Sequence, residues 1–226
     1  MYLVNCVVIV QNNFNGIASV GIISLATDSY VLVPRNLPKR VVNKLHEVFA
    51  APIIKTSIYQ SHLIGILAAG NKFGLLTHFL SDDDEIEYLK KEIGIPVERL
   101  KSKLTVGNCI LANDKGAIAA DEFGKEDIKQ ITDILNVEVL QGKIVSSSLV
   151  GSLGAASNEG AMVHPLATEK ELEWISEGLK VHSDIGTVNR GVPYVSTGIL
   201  VNSQGCVTGE ETTGPELVRI SQTFAL

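Results

Sequence analysis

At 226 residues, with 45% apolar and only 19% charged side chains, the chain carries ample material for a core and none of the Pro-, Ser- or charge-rich stretches of a linker. Its net charge of −6 argues against a protein that coats bare nucleic acid, because such proteins draw most of their affinity from neutralising phosphates, and makes a basic protein surface the more natural partner, although a local basic patch can sit on an acidic protein. Three cysteines, Cys6, Cys109 and Cys206, show neither zinc-site spacing nor the density of a secreted disulfide scaffold, and fit a reducing cytoplasm.

The apolar opening from Met1 to Val10 is too short to span a bilayer, lacks a positive leader region and a small-residue cleavage site, and reads as a strand. Beyond it one pattern recurs five times. Gly21, Gly65, Gly107 and Gly151 each stand nine residues before the end of a four-residue turn, at Tyr30, Gly74, Gly116 and Gly160, and Ser196 with Gly205 makes a fifth. Positions 12, 15 and 19 beyond the turn ends are apolar throughout: Val42, Leu45, Phe49; Ile86, Leu89, Ile93; Ile128, Ile131, Leu135; Leu172, Ile175, Leu179; Leu217, Ile220, Phe224. The turn ends lie 44, 42, 44 and 45 residues apart, so one structural unit is reused. The units span approximately 15–58, 59–101, 102–145, 146–190 and 191–226, and form a single domain in which residues 1–10 complete the last.

Within a unit, the residues around the first Gly are short apolar runs that suit buried strands, as in His62 to Ala69 and Cys109 to Ala112. The turns Asn71 to Gly74, Asn113 to Gly116, Ser157 to Gly160 and Asn202 to Gly205 place a side-chain acceptor first and Gly fourth, and Thr27 to Tyr30 keeps the first half of that pattern. A second strand follows, for example Gly74 to Phe79, and then a helix whose apolar stripe is the pattern above. Thr168 with Glu171 makes a capping box, Ser81 precedes three aspartates that favour a helix start, and Pro215 suits a first helical position. Third strands are expected at Pro52–Ile54, Ile95–Val97 and Val137–Val139, which gives a ββαβ unit. The fifth unit has no third strand after its helix, whereas Ile9 stands twelve residues before Gly21, as Ile53 does before Gly65. Tyr2 to Val10 is therefore expected to close a ring by joining the last unit, which also removes the need for polar capping repeats.

Several stretches together resemble the archaeal and eukaryotic translation initiation factor six family, which has the pentein or β/α propeller fold. They are Gly70 to Leu76, Val106-Gly-Asn108, Val150-Gly-Ser152, Ser157 to Gly160 with His164-Pro165, Gly186 to Gly191, and Thr212 to Leu217. The length is archaeal, without the C-terminal tail of eukaryotic members. The resemblance implies an α/β, five-fold pseudosymmetric ring and a non-enzymatic, cofactor-free cytoplasmic factor. Such a factor binds the joining face of the large ribosomal subunit as a monomer and keeps the small subunit away. Its main contact is a basic ribosomal protein near the sarcin-ricin loop, with a minor contribution from rRNA. Carried onto this sequence, the ribosome-binding positions are Gly65, Ile66, Gly107, Asn108, Gly151 and Ser152 near the repeat Gly, with Asn189 and Arg190 beside them. The glycines serve either that contact or close backbone packing, and Asn189-Arg190-Gly191 either a turn or an anion contact.

Two other functions fit such a ring. Some penteins modify guanidino groups with a Cys nucleophile, for which Cys206, His164, Glu210 and Glu211 supply ingredients, although Cys206 follows the turn Gly in an apolar alternation that suits a buried thiol. A small-molecule binder using the ring centre is the third. There is no phosphate loop, and the five histidines, His46, His62, His78, His164 and His182, have no metal-ligand spacing.

Overall fold

The recurring turn is pinned by its own first side chain. In the computed structural model, which describes residues 8–226, Asn71 Oδ1 accepts the amides of Phe73 and Gly74, and the Asn71 amide donates to the Gly74 carbonyl. Asn113 and Asn202 repeat this arrangement, and the hydroxyls of Thr27 and Ser157 are shorter substitutes. The side chain satisfies amides that the reversal would otherwise leave unpaired.

Around these turns the elements run in chain order from β1 (Val8–Gln11). Unit one holds β2 (Leu25–Ala26), β3 (Val31–Pro34), α1 (Lys39–Val48) and β4 (Ile53–Thr56). Unit two holds α2 (Ile64–Leu67), β5 (Ala68–Gly70), β6 (Leu75–Thr77), α3 (Asp83–Ile93) and β7 (Val97–Arg99). Unit three holds α4 (Val106–Cys109), β8 (Ile110–Ala112), β9 (Ala117–Ala120), α5 (Lys125–Leu135) and β10 (Val139–Gly142). Unit four holds α6 (Val150–Leu153), β11 (Gly154–Ala156), β12 (Ala161–Val163), α7 (Glu169–Leu179) and β13 (Ser183–Ile185). Unit five has a 3₁₀ turn at Val195–Gly198, then β14 (Ile199–Val201), β15 (Gly205–Thr208) and α8 (Gly214–Phe224).

Each unit is a three-stranded sheet in which the first strand is antiparallel to the second and the third returns parallel to it. The register is constant: Val31 faces Ile53, Leu75 faces Val97, Ala117 faces Val139 and Ala161 faces Ser183. The fifth sheet takes its third strand from the other end of the chain, with Ile9 of β1 facing Cys206 in the same register. The ring of ββαβ units closes as the spacing of Ile9 predicts; Met1 to Val7 lie outside the described residues.

Each long helix packs between its own sheet and that of the preceding unit, so every core is shared. The five apolar clusters show this directly: Val41 and Leu45 of α1 pack with Leu200 and Val207 of unit five, and Ile131 and Leu135 of α5 with Ala69 and Leu76 of unit two. The turns join the units a second time. Asn71 Nδ2 donates to the carbonyls of Asn113 (3.1 Å) and Leu135 (2.8 Å), Asn113 Nδ2 to those of Ser157 and Leu179 (both 2.9 Å), and Asn202 Nδ2 to Thr27 (3.1 Å).

The residues flanking the first Gly differ from expectation. Strand was expected over Cys109–Ala112, where β8 covers all but the first residue, and over His62–Ala69, where strand begins only at Ala68; a helical elbow of one turn precedes each strand, α2 before β5 and α4 before β8. The elbow brings backbones into contact around the axis. A Cβ on Gly21, Gly65, Gly107 or Gly151 would overlap the carbonyl oxygen of Ser196, Gly21, Gly65 or Gly107 respectively. A single turn of four residues has no helical period to reveal it, so the apolar content reads as strand. The aspartates after Ser81 do start a helix, with Asp82 the cap of α3; smaller differences occur at other helix ends, where Pro215 is second in α8 and Phe49 follows α1 as its C-cap.

Gly107→Ala should therefore cost more than about 3 kcal/mol, since a backbone carbonyl cannot move aside as a flexible side chain can. Gly214→Ala, with no atom within 4 Å of the added methyl, should stay within about 0.5 kcal/mol; urea unfolding of both variants checks the contrast. Deletion of residues 1–11 removes β1 and should abolish the single cooperative thermal transition. Retention of wild-type melting would show that closure does not hold the ring.

Candidate docking face

Chain direction sorts the loops onto two ends. Every first strand starts at an elbow and every second strand returns there, so elbows, second-strand exits, helix N-termini and third-strand exits gather on one face, while turns and helix C-termini occupy the other.

On the elbow face, four tight loops are closed by isolated bridges, Phe14 to Ile17, Ile58 to Ser61, Ile144 to Ser147 and Val188 to Val192. Their central residues are left-handed, including Tyr59 (φ 51°), Gln60 (55°), Val145 (50°) and Arg190 (62°), a conformation that costs roughly 1 kcal/mol or more for a residue with a side chain. Helix-capping glutamates offset that strain. Glu85 accepts the amides of Tyr59 (2.7 Å) and Gln60 (2.9 Å) and the Ser57 hydroxyl (2.8 Å). Glu171 accepts the Val145 amide, and Glu216 those of Arg190 and Gly191 with the Thr187 hydroxyl. Each also closes a capping box on its own helix. Burial pushes the Glu216 carboxyl up, but the donors from Thr213, Gly191 and Thr187 outweigh it and hold it below the usual carboxylate range; Glu171 is depressed in the same way, by Thr168 and Val145.

Six of the residues expected to contact a partner lie around the axis on this face. Gly65, Ile66, Gly107 and Asn108 are partly exposed, whereas Gly151 and Ser152 are buried. Ser152 Oγ donates to Asn108 Oδ1 (2.9 Å) and Ser196 Oγ to the Ser152 carbonyl (3.0 Å), a polar chain running through units three, four and five. Asn108 Nδ2 has no partner among the described residues. Asn189 is buried: it donates to the Ala18 carbonyl (3.0 Å) and accepts from Thr212 Oγ1 (3.1 Å), tying the end of unit four to units one and five. Arg190 beside it is exposed.

Apolar exposure is concentrated here, and no sequence pattern had singled it out. Eight large apolar side chains are exposed among the described residues, and all but Val218 belong to this face: Ile17, Tyr59, Leu63, Leu80, Leu149, Leu166 and Tyr194. Six of them fall into two groups, Tyr59, Leu63 and Leu80 around unit two and Leu149, Leu166 and Tyr194 around unit four, with Ile17 in unit one. The first group also has Tyr59, His78 and Phe79 in ring contact, and the second has Tyr194 edge-on to His164. Leu166 is 71% exposed. Leu63, Leu149 and Tyr194 share one repeat position, as do Leu80 and Leu166. Superimposing the repeats and looking for apolar residues outside the core pattern would have found them.

The ring centre is narrow. Its chamber at the elbow end holds about 90 Å³ and that at the turn end about 20 Å³, well below the roughly 300 Å³ of a small-molecule site. Cys206 lines neither chamber and is fully buried among Ile220, Phe224 and Met162. Burial pushes its thiol far above the ordinary value, and burial with the nearby Glu122 pushes Cys109 up to about 11. Neither is an activated nucleophile. Among the described residues no cluster of three His, Cys, Asp or Glu side chains is placed to hold a metal, and no helix is long and apolar enough to cross a membrane.

The Glu216 bonds set a pH-dependent contribution. A folded value below the ordinary 4.5 means the stabilisation is complete above that value and is lost as pH falls through it toward the folded one. Glu216→Gln should cost about 1–3 kcal/mol at pH 7, and the gap from wild type should shrink below about pH 4.5; an unchanged gap at pH 3 in urea titrations would contradict this role.

The family profile described as "eIF-6 family" matches residues 9–223. Translation initiation factor 6 of Pyrococcus abyssi (strain GE5 / Orsay) is 43% identical over 220 residues, covering 95% of this chain and 97% of its own. The protein of the same name from Methanocaldococcus jannaschii is 39% identical over 225 residues, covering 96% and 98%. Among solved structures, the substrate-bound N-terminal domain of ArgZ, an arginine dihydrolase, is 13% identical with a TM-score of 0.48, covering 74% of this chain and 68% of its own. That likeness is too loose to bear on chemistry. With nearly its whole length matched by the profile and by relatives of the same name, the chain belongs to the eIF-6 family.

Proposed function

We propose that this protein binds the large ribosomal subunit through the elbow face and prevents premature joining of the small subunit by occupying the space between them. The carrying observation is the asymmetry of the ring: seven of the eight exposed large apolar side chains share one face. Monomers seldom expose contiguous apolar area without a partner.

Mechanically, the function asks little of the protein. An interface of standard size, about 1,600 Å², can block a far larger docking surface by excluded volume. Nanomolar occupancy needs about 12 kcal/mol, and a face whose loops are already held by Glu85, Glu171 and Glu216 loses little of that to ordering. The exposed aspartates Asp82, Asp83 and Asp84 beside one apolar patch suit a basic ribosomal protein, the partner we place near the sarcin-ricin loop, with rRNA as a minor contact. Asn108, through its unpartnered amide, and Arg190 are the polar contacts of this reading, and Gly65, Ile66, Gly107, Gly151 and Ser152 shape the surface between them. The role is non-enzymatic, performed by a cytoplasmic monomer, and needs no cofactor.

Sedimentation with separated archaeal ribosomal subunits tests it. Wild-type protein should migrate with the large subunit alone and reduce joined particles at associating magnesium. Leu166→Asp with Tyr194→Asp should lower large-subunit affinity at least about tenfold, about 1.4 kcal/mol, without changing the melting temperature. Wild-type protein that binds neither subunit would overturn the function, and a double variant that binds normally would overturn the assigned face.

A further inference from the structure

The five units differ most in the charge of their helices. α3, α5, α7 and α8 each carry at least one carboxylate in the first turn: Asp83, Asp84 and Glu85; Glu126 and Asp127; Glu169 and Glu171; Glu216. α1 has none there, and opens with Lys39 and Arg40 instead. Lys44 follows one turn later, and the only acid of the helix is Glu47 near its end. No other long helix has more cationic than acidic side chains.

Lys39, Arg40, Asn43 and Lys44 are all exposed. None of the three cations has an ion-pair partner among the described residues, although five such pairs occur elsewhere. Arg35, at the margin, stands over the Tyr88 ring at 5.7 Å and borders the cleft that holds Asp82, Asp83 and Asp84. The basic surface therefore ends sharply at unit two.

Unit one, like unit three, is polar at the two repeat positions that carry exposed apolar side chains in units two and four, and Ile17 is its one exposed large apolar side chain among the described residues. The position of Leu80 and Leu166 is Asn36, exposed and paired with Asn15. The position of Leu63, Leu149 and Tyr194 is Ser19. A protein partner would normally bring an apolar interface core, whereas nucleic-acid interfaces are polar and strongly cationic. We propose that unit one is a separate docking surface on which Lys39, Arg40 and Lys44 of α1, with Arg35 at the edge, bind phosphates of ribosomal RNA. The proposal rests on large-subunit binding as proposed above. It gives the two sides of one face different partners, apolar and acidic units two and four for protein, and basic unit one for RNA. The overall charge of −6 conceals this local surface.

The test measures affinity for purified large subunits from 50 to 300 mM KCl. Substituting Lys39, Arg40 and Lys44 by Ser should weaken binding about 10-fold or more at low salt and flatten the salt slope by about 2, as expected for three lost phosphate contacts. Arg at positions 39 and 44 should retain the wild-type slope, and the Leu166, Tyr194 double variant should weaken binding with its slope intact. Equal melting temperatures exclude a folding defect. In parallel, a photoreactive diazirine side chain at Asn43 should give a nuclease-sensitive adduct on the subunit. Wild-type binding with an unchanged slope in the Ser variant overturns this inference alone, as does an adduct to protein only. Absence of any wild-type binding overturns the functional reading and this inference with it.

Discussion

Backbone touching backbone around the axis is the constraint from which the remaining architecture follows. The glycines at 21, 65, 107 and 151 allow each elbow to lie against the carbonyl of the unit before it, and no larger residue could take that place in those four units. The close approach sets the tilt between sheets, the tilt opens a wedge on the outside, and the long helices fill the wedges. Because each wedge is bounded by two units, no unit owns a complete core. Stability is then a property of the closed circle, unlike an open solenoid, where interior repeats tolerate the loss of an end.

Closure also divides labour between the two faces. At the turn end, buried Asn71, Asn113 and Asn202 spend their donors on neighbouring units, leaving a surface without exposed large apolar side chains among the described residues. At the elbow end the joints are made by glycine backbone and by glutamates reaching back to the loops, so the outer side chains are free to vary. Units two and four use that freedom for apolar contacts and unit one for cations. A fold that must repeat its interior exactly five times can still present five different exteriors.

The repeat was legible because it is written in side chains with periodic jobs: Leu45, Leu89, Ile131, Ile175 and Ile220 all fill wedges, and Asn71, Asn113 and Asn202 all pin turns. The closing strand was legible because Ile9 keeps the spacing of Ile53 and Val139. What the chain did not reveal has short local signal or long reach. The elbows are single helical turns without a measurable period. Glu171 reads as a helix cap, yet its bond to Val145, like those of Glu85 and Glu216 to Gln60 and Gly191, goes to a loop some 25 residues earlier, which only the folded ring brings near. Asn189 reads as a turn residue and is one, but the sequence does not show that it is buried, because Ala18, 171 residues away, supplies its acceptor. The apolar face escaped notice because exposed leucines carry no periodicity of their own.

The pairing of β1 with β15 joins segments some two hundred residues apart in the chain, one made well before the other. During translation Val8 to Gln11 emerge long before Gly205 to Thr208, and must wait through some two hundred residues of elongation with an unpaired strand edge, ten or more seconds at ordinary speeds of about 5–20 residues per second. Four wedges can assemble in order as their helices appear, but the fifth, between units five and one, has both its walls only once unit five has emerged. The newly made protein is thus an incomplete arc whose two raw edges are complementary to each other and to the edges of any other arc nearby. Whether an arc closes on itself or captures a neighbour is decided by local concentration, so crowding of nascent chains on one message becomes a hazard specific to circular folds.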